Sequence, residues 1–499
     1  MYISPGNPYL FLPGIEYRRL SISPTMSPSK LSNDETPPDL DFRFTGIKQR
    51  LIKSENVKQV TASWKRLLVE INKEFTEIAK IGPSYVPKCD FIDIKDNKLP
   101  QQVSELFKQR GCLMIENVID VDRIDIWFNE LVEFCKTHPE TAGYTFPNPT
   151  SWYNVFWSKP QTEARFHPNM KAIFKAMSKE FYVEDKENCL IDLDTQLVYG
   201  DRIRIREPGK AAALPLHLDS SSIERWEDIM YSEVYKSIFE GDWENWDAFK
   251  LDERTYSKEN LYKDEDDTGG KSTICSSFRT LQGWLALSNN KSGEGTLRVL
   301  PSLKLSMAYI MLRPFFWKDP ESGNIDDYEI DLITPKFPGT VPGTGQLFLD
   351  KFYPHLHQGI ISIPDVKKGS FVFWHCDLPH EVDREHNGNG HSSVLYYGQT
   401  PLSITNIQTL LDTRDAFLKN ISPADYRSQL NEEEKQKEFQ GANIDDLKND
   451  IDSKRSMGLE EFEKPENMSG GQAKIRSIAN QALKSGGFNV DKYIHHAAK

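Results

Sequence analysis

The stretch from residue 196 to residue 397 reads as a series of short strands separated by turns. A His-x-Asp motif at His217 and Asp219 lies near its start, and two more histidines, His375 and His380, lie near its end. Residues two apart in a strand project from the same face, so the imidazole and carboxylate of the motif point together. This order favours a closed or double-sheet β architecture with ligand-type side chains at both ends of the stretch.

These side chains predict a metal site. Two histidines and one carboxylate fill one face of an octahedral ion and leave the other face open, which is typical of non-haem Fe(II) oxygenases. We predict His217, Asp219 and His380 as the ligands. His375 is the alternative third ligand, because it begins a second His-x-Asp pair. Its place directly after Trp374 is more typical of a core or supporting histidine, which favours His380.

Composition narrows the class of protein. The chain has 499 residues, of which 38% are hydrophobic, enough to bury a large core. A net charge of −13 argues against nucleic acid or an anionic membrane as the partner and favours a small molecule. Six scattered cysteines without a CxxC pair predict free thiols in a cytoplasmic protein. We expect neither a membrane span nor a signal peptide, because no run approaches 18 apolar residues and the first residues lack an apolar leader.

We expect three parts along the chain. Residues 1–42 are rich in Pro, Ser and Asn without a period, which predicts a disordered arm. Residues 43–430 predict the main domain, which opens with a long amphipathic helix or helix pair over residues 47–80. An acidic, partly helical insert at about residues 223–273 interrupts this domain. Residues 431–499 are rich in charged helix formers and predict a helical tail packed on or beside the domain.

The predicted strands are short and turn-bounded, as expected for an antiparallel β core. Asp120 is predicted to cap the helix that follows the first of these strands. The strands are predicted at residues 111–118, 196–206, 214–218, 280–287, 296–300, 345–349, 366–374 and 392–397.

Several stretches resemble known oxygenases. Residues 369–374, followed by His380, resemble the distal-histidine strand of Fe(II)/2-oxoglutarate oxygenases of the phytanoyl-CoA hydroxylase type, and residues 281–302 resemble their central hairpin. More closely, the chain resembles domain-of-unknown-function family 1479 of fungi and bacteria. The matching stretches are residues 157–165, 202–209, 217–226 and 374–388, within a resemblance that covers residues 47–485.

The resemblance implies a fold and a chemistry. The expected fold is α+β with a mainly β core, namely a double-stranded β-helix of the jelly-roll or cupin-like kind flanked by N- and C-terminal helices. The implied cofactors are Fe(II) and 2-oxoglutarate, and the implied reactants are O₂ and a small molecule. The resemblance implies no catalytic residue beyond the three metal ligands.

The anchor for 2-oxoglutarate departs from the pattern of these oxygenases. They usually place an arginine some way beyond the distal histidine, where its fork pairs the distal carboxylate of the oxoacid. Residues 389–394 contain no arginine. We predict Arg298 as the anchor, because it lies in the hairpin that resembles the central one. Arg206 and Arg384 are the reserves, and Ser393 is a hydroxyl donor beside them.

We therefore interpret the chain as a cytoplasmic Fe(II)- and 2-oxoglutarate-dependent dioxygenase that hydroxylates a small molecule. Desaturation is the alternative outcome of the same chemistry. The missing arginine leaves open a cupin-like metal enzyme that uses no oxoacid. A non-catalytic binding protein on the same fold is a third alternative, which the intact set of three ligand-type residues disfavours.

Overall fold

A computed structural model describes most of the chain. The described residues are 40–138, 141, 143–144, 151–210, 214–262, 275–317, 327–427, 441–447 and 450–497. Nearly all of the predicted N-terminal arm lies outside them, and so do parts of the predicted insert and of the predicted tail. The described residues form a mixed α+β architecture.

The strands of the described residues are mostly two to seven residues long. They are β1 (Lys88–Asp90), β2 (Cys112–Glu116), β3 (Gly143–Tyr144), β4 (Trp152–Tyr153), β5 (Ile191–Leu197), β6 (Ile203–Arg206), β7 (Gly209–Lys210), β8 (His217–Leu218), β9 (Leu281–Ala286), β10 (Leu297–Val299), β11 (Phe316–Trp317), β12 (Glu329–Ile330), β13 (Gln346–Leu347), β14 (Ile361–Ser362), β15 (Phe371–His375), β16 (His380–Val382), β17 (Glu385–His386), β18 (Ser392–Tyr396) and β19 (Thr400–Ser403).

Helices precede the sheets, interrupt them and follow them. The α-helices of the described residues are Thr45–Leu51, Val57–Ile81, Gln101–Arg110, Val121–Thr137, Lys159–Arg165, Pro168–Ser178, Glu224–Glu227, Ile229–Glu233, Lys236–Phe239, Leu303–Leu312, Pro354–Gln358, Ile407–Lys419, Ala424–Arg427, Ile451–Ser456, Gly470–Ser485 and Asp491–Ala497.

Two sheets form the β core. The larger has the strand order β1-β2-β15-β9-β18-β6-β4-β3, and the smaller has the order β13-β8-β16-β10-β14. Within them β1 and β2 run parallel, and the other described pairs are antiparallel. Antiparallel neighbours do not need the crossover helices that parallel strands require. The described strands between residues 196 and 397 therefore form antiparallel sheets and not a parallel sheet of βαβ units.

One predicted strand divides into two. Residues 196–206 were expected to form a single alternating strand, but β5 ends at Leu197 and pairs with β19, whereas β6 belongs to the larger sheet. Gly200 lies between them, where an added Cβ would be 2.7 Å from Pro423 and 2.8 Å from Trp157. The chain changes sheets at this crowded point, which only a residue without a side chain can pass.

Of the two N-terminal alternatives, a long helix or a helix pair, the structure has the pair. A short helix, Thr45–Leu51, precedes the long helix Val57–Ile81. The long helix buries an apolar stripe, in which Trp64 stacks on Tyr309 at 5.3 Å and on Phe316 at 4.7 Å between ring centroids. Burial of such aromatic area is a large stabilising contribution. The helix thereby fixes the segment that follows β10.

Capping side chains set other helix boundaries. The Asp120 carboxylate accepts a hydrogen bond from the backbone N–H of Asp122, so the predicted N-cap is confirmed. Ser469 and Gln472 form a capping box at the start of the helix Gly470–Ser485. This tail helix lies against β5, where Arg476 pairs with the buried Asp192. The division of the chain into domains stays a prediction.

The length and apolar character of the described helices decide whether any of them could span a lipid bilayer. Crossing it requires about 20 consecutive apolar residues in a helix. None of the helices that the structure describes combines that length with that apolar character.

Two glycines with positive φ offer a matched test of the fold. Gly339 (φ 74°) would place a Cβ 1.8 Å from the carbonyl oxygen of Leu347, whereas Gly293 (φ 82°) has open space around it. We expect Gly339→Ala to lower the melting temperature clearly more than Gly293→Ala. Both pay the left-handed backbone penalty of about 1–2 kcal/mol, but only the first also displaces β13. Equal losses in differential scanning calorimetry would contradict this account.

Candidate metal centre

The register of the smaller sheet brings two histidines together. His217 on β8 lies directly opposite His380 on β16, and their ring centroids are 4.3 Å apart. Directly opposed residues on antiparallel strands have neighbouring side chains. Asp219 follows β8, and its carboxylate lies 3.4 Å from Nε2 of His217 and 3.3 Å from Nε2 of His380. The structure therefore brings the three residues predicted as ligands to one point.

The hydrogen bonds of the two rings decide which nitrogens face this point. Nδ1 of His217 lies 2.7 Å from the carbonyl oxygen of Pro215, and Nδ1 of His380 lies 2.9 Å from that of Leu378. A carbonyl can only accept, so each Nδ1 carries the proton. In the neutral rings both Nε2 atoms are therefore acceptors that face a carboxylate, which is also an acceptor. A divalent cation between them removes this conflict, and the donor set suits a first-row metal.

The protonation of His217, Asp219 and His380 is coupled, because the charge on each of them shifts the pKa of the others. Burial raises the pKa of Asp219, but attraction to His217 and His380 outweighs burial and holds that pKa well below its usual range. Burial lowers the pKa of His217, yet the Asp219 carboxylate raises it above the ordinary value overall. Burial and the neighbouring His217 lower the pKa of His380. A metal that binds here competes with the proton on His217, so its affinity increases as the pH rises.

The backbone after Asp219 is held in an unusual conformation. Ser220 has a φ of 75°, in the left-handed region that non-glycine residues rarely adopt. Arg225, fully buried in the helix Glu224–Glu227, donates to the carbonyl oxygens of Asp219 at 3.2 Å and of Ser221. Gln282 on β9 donates to Oδ2 of Asp219. These contacts fix both the turn and the orientation of the carboxylate.

The alternative third ligand, His375, lies elsewhere. His375 follows Trp374 in β15, and neighbouring strand residues project from opposite faces. Because Trp374 lines the cavity, the ring of His375 projects from the face away from it. Its Nε2 lies 3.1 Å from the carbonyl oxygen of Ala248, and its Nδ1 accepts from the backbone N–H of Asp377 at 3.1 Å. Burial lowers the pKa of His375 to about 4. Its two ring nitrogens are thus used by the protein itself.

The second His-x-Asp pair belongs to a buried ion network. Asp377 accepts from Tyr235 at 3.1 Å and from Arg254 at 3.3 Å, and Arg225 lies 3.8 Å away. Arg254 also donates to Glu259 at 2.9 Å. Except for Asp377, these residues come from the predicted insert. The network therefore ties the insert to the strand connection that leads into His380.

A cavity of about 270 Å³ opens beside the three predicted ligands, between the two sheets. The smaller sheet contributes His217, His380 and Leu297, and the larger sheet contributes Trp284 and Tyr396 among others. The side of the ligand set that faces this cavity can receive a small molecule.

The predicted oxoacid anchor Arg298 does not reach this cavity. On β10, Leu297 lines the cavity, and Arg298 projects from the other face. Its guanidinium donates to Glu381 at 2.5 Å and to the carbonyl oxygen of Ile360 at 3.4 Å. Glu381 in turn lies between His380 and Val382, which both line the cavity. The structure thus places Arg298 on the face of β10 that points away from the cavity, which does not support its predicted role as the anchor.

The reserve residues also lie outside the cavity lining. Arg206 donates to the carbonyl oxygens of Asp383 at 2.8 Å and of Arg384 at 3.1 Å, and it holds that loop. Arg384 itself is exposed. Ser393 is buried on β18. It lies three residues before Tyr396, which lines the cavity, so its side chain projects from the opposite face of the strand. None of these side chains is positioned to bind a ligand in the cavity.

Other cations do face the cavity. Arg202, Arg204 and Arg279 line it, together with the amide of Gln282. Arg202 and Arg204 are two residues apart, and this spacing indicates that both side chains lie on the same face of a strand. Gln282 was missed, because β9 is buried on both faces and shows no alternation. Arg279 was missed because it lies before β9, outside any motif.

The two candidate third ligands can be separated by matched substitutions. We expect His380→Gln to weaken Co(II) binding at least 100-fold, because it removes an Nε2 donor from the centre. His375→Gln should leave Co(II) affinity close to that of the unchanged protein, since its ring faces Ala248. Titration followed by the Co(II) absorption bands measures both. Loss of Co(II) binding in His375→Gln alone would reverse the assignment.

The buried network predicts a stability effect separate from metal binding. Asp377→Ala leaves Arg254 and Arg225 without their shared carboxylate. Breaking a buried pair by removing one partner costs about 3–5 kcal/mol. We expect a loss of that order in urea unfolding, with Lys419→Ala, whose exposed pair with Asp415 spans one helical turn, as a near-neutral control. A loss below that of the control would contradict a structural role for Asp377.

Comparison with known proteins identifies the family of the chain. The family model described as Gig2-like matches residues 38–459. An uncharacterized protein of Escherichia coli K12, YbiU, is 27% identical over 446 residues, 87% of this chain and 99% of that protein. The structure of GlcNAc Inducible Gene 2, GIG2 (DUF1479), from Candida albicans is 95% identical, with a TM-score of 0.86 over 93% of this chain and 99% of that one. A structure from Salmonella typhimurium LT2, whose name proposes an oxidoreductase, is 25% identical, with a TM-score of 0.69 over 85% of this chain and 99% of that one. The chain belongs to the Gig2-like family.

Proposed function

We propose that this protein is an Fe(II)- and 2-oxoglutarate-dependent dioxygenase that hydroxylates a small molecule. The two sheets with the cavity between them would then form a double-stranded β-helix. The observation that carries the proposal is the convergence of two Nε2 acceptors on the Asp219 carboxylate. When bound, Fe(II) and 2-oxoglutarate supply the activation of O₂ and the oxidation of a C–H bond.

The residues around this point support a metal with an open side. His217, Asp219 and His380 approach from the smaller sheet and leave the cavity side free. Gln282 engages Oδ2 of Asp219, so that Oδ1 remains available as a single ligand atom. The carbonyl oxygens of Pro215 and Leu378 keep both imidazoles in the tautomer that a metal requires.

Arg204 is the cation best suited to hold the distal carboxylate of the oxoacid. It lines the cavity, is 4% exposed, and donates to the hydroxyl of Ser392 at 2.9 Å and the carbonyl oxygen of Gly295 at 3.2 Å. Its Nε has no hydrogen-bond partner among the described residues. These two hydrogen bonds orient the guanidinium, and a carboxylate would accept hydrogen bonds from its remaining N–H donors.

The partners proposed from the sequence fit this function. The reactants are O₂ and a small molecule, without nucleic acid or membrane as a partner. The cysteines at positions 89, 112, 135, 189, 275 and 376 are free, which supports a reducing compartment such as the cytoplasm.

Oxoacid use is tested by anaerobic titration of the Fe(II)-loaded protein with 2-oxoglutarate. We expect saturable binding followed by the charge-transfer absorption of the complex, and oxoacid consumption when air is admitted. Arg204→Gln should weaken oxoacid binding at least tenfold, about 1.4 kcal/mol. Arg298→Gln is the control, because Arg298 pairs with Glu381 away from the cavity. If the unchanged protein binds Fe(II) but neither binds nor consumes 2-oxoglutarate, the oxoacid-independent metal enzyme is the better interpretation.

A further inference from the structure

Arg279 is a charged side chain without a partner in the cavity wall. It lines the cavity and is 8% exposed. Its Nε has no hydrogen-bond partner among the residues that the structure describes. The guanidinium stands over the ring of Tyr199, at 5.2 Å from the centroid. Burial lowers the pKa of Arg279, but attraction to Cys275, Tyr199, Asp219 and Asp201 holds it well above its usual range, so the group is charged. Native proteins rarely keep a buried hydrogen-bond donor without a partner.

The surrounding chain makes room for this arginine. A Cβ on Gly398 would lie 2.8 Å from Cδ of Arg279, so the stem passes where only glycine fits. The ring of Tyr199 supports the planar face of the guanidinium, and its edge, with the N–H donors, is left for a ligand. Arg279 is thus held in place by packing and is not satisfied by hydrogen bonds.

The carboxylates of the same wall are already engaged. Asp201 accepts from the hydroxyl of Tyr426 at 3.0 Å and from the backbone N–H of Arg202 at 2.7 Å. Asp425 accepts from the hydroxyl of Tyr199 at 3.0 Å. These hydrogen bonds order the two tyrosines. Asp201 also attracts Arg279 electrostatically, but the Nε donor of Arg279 has no acceptor among the described residues. This donor therefore remains available to a bound anion.

Arg279 and Arg204 flank the candidate centre from opposite directions along the larger sheet. Arg279 lies three residues before Gln282, whose side-chain amide donates a hydrogen bond to the carboxylate of Asp219. Arg204 is opposite Val394, which is opposite Ala286, four residues after Gln282. Arg279 and Ala286 are seven residues apart along the chain, about 20 Å at about 3.3 Å per residue. At that separation of the two backbones, one carboxylate group cannot bridge both guanidinium groups.

We propose that Arg279 binds the carboxylate of the substrate, which is a small organic acid with an apolar, preferably aromatic, body. This inference rests on the proposed function, in which Arg204 holds the oxoacid. The planar fork of an arginine fits a carboxylate through two parallel hydrogen bonds. Trp152, Trp284 and Trp374 line the cavity and offer apolar faces to the body of such a molecule.

The probe for the test is phenylacetate, with its neutral analogue phenylacetamide. Binding to full-length protein loaded with Fe(II) and saturating 2-oxoglutarate, without O₂, is followed by quenching of tryptophan fluorescence. We expect phenylacetate to bind at least tenfold more tightly than the amide. Arg279→Gln should reduce this preference at least tenfold, whereas Arg298→Gln should keep it. Arg279→Lys, which keeps the charge but loses the fork, should give an intermediate affinity, and it carries the test if the Gln variant does not fold.

Three results would overturn the proposal. The first is equal affinity for the acid and the amide, and the second is unchanged phenylacetate binding in Arg279→Gln. The third is displacement of phenylacetate by inorganic phosphate at lower concentration than by acetate, which would exclude the carboxylate class. The same titration without Fe(II) and oxoacid keeps the inference separate from the proposed function. A preference for the acid that depends on Arg279, in a protein that does not bind 2-oxoglutarate, would refute the oxoacid and retain the anion site.

Discussion

The pairing of His217 with His380 across two antiparallel strands is the contact on which the candidate centre depends. A shift of this register by one residue would turn one ring to the other face of the smaller sheet, because side chains alternate along a strand. β8 and β16 are only two and three residues long, so their own ladder bonds cannot fix the register firmly. Contacts outside the sheet must do so.

The insert supplies these contacts. Arg225 binds the carbonyl oxygens behind Asp219, and Arg254 binds Asp377 before the strand of His380. Both arginines are almost fully buried, and they share one carboxylate, so neither charge is left alone. The insert therefore acts on the geometry of the ligands from behind, while the cavity side stays open. Structural support thus reaches the candidate centre from the side opposite the cavity.

Much of the candidate centre could be predicted from the sequence, because its chemistry lies in a local motif. The His-x-Asp motif and the strand before His380 are short-range patterns, and the structure brings these residues together. The choice between His375 and His380 needed the structure, since β15 is buried on both faces and its alternation carries no direction. For Arg298 the signal was present. It lies between Leu297 and Val299, and an arginine between two apolar strand residues points away from the core.

The cations of the cavity were harder to find, because their role depends on contacts far apart in the chain. Arg279 is identified by what it lacks, namely an acceptor, and by Gly398, which lies more than a hundred residues later and leaves space for it. Such a relation has no period and no motif. The insert was recognised as a separate segment, but its ion network with Asp377 joins residues more than a hundred positions apart.

Charge acts at two length scales. The whole chain carries a net charge of −13, whereas the cavity lining holds three arginines and three aspartates, Asp201, Asp219 and Asp425. At physiological ionic strength, charges beyond about 8 Å are largely screened, so the overall negative charge acts mainly on polyanions and surfaces. A small anion inside the cavity instead meets the guanidinium groups at contact distance, where water is scarce and attraction is strong. Under the proposed function, an acidic protein can still bind a small carboxylate, because these arginines line a cavity that a polyanion is too large to enter.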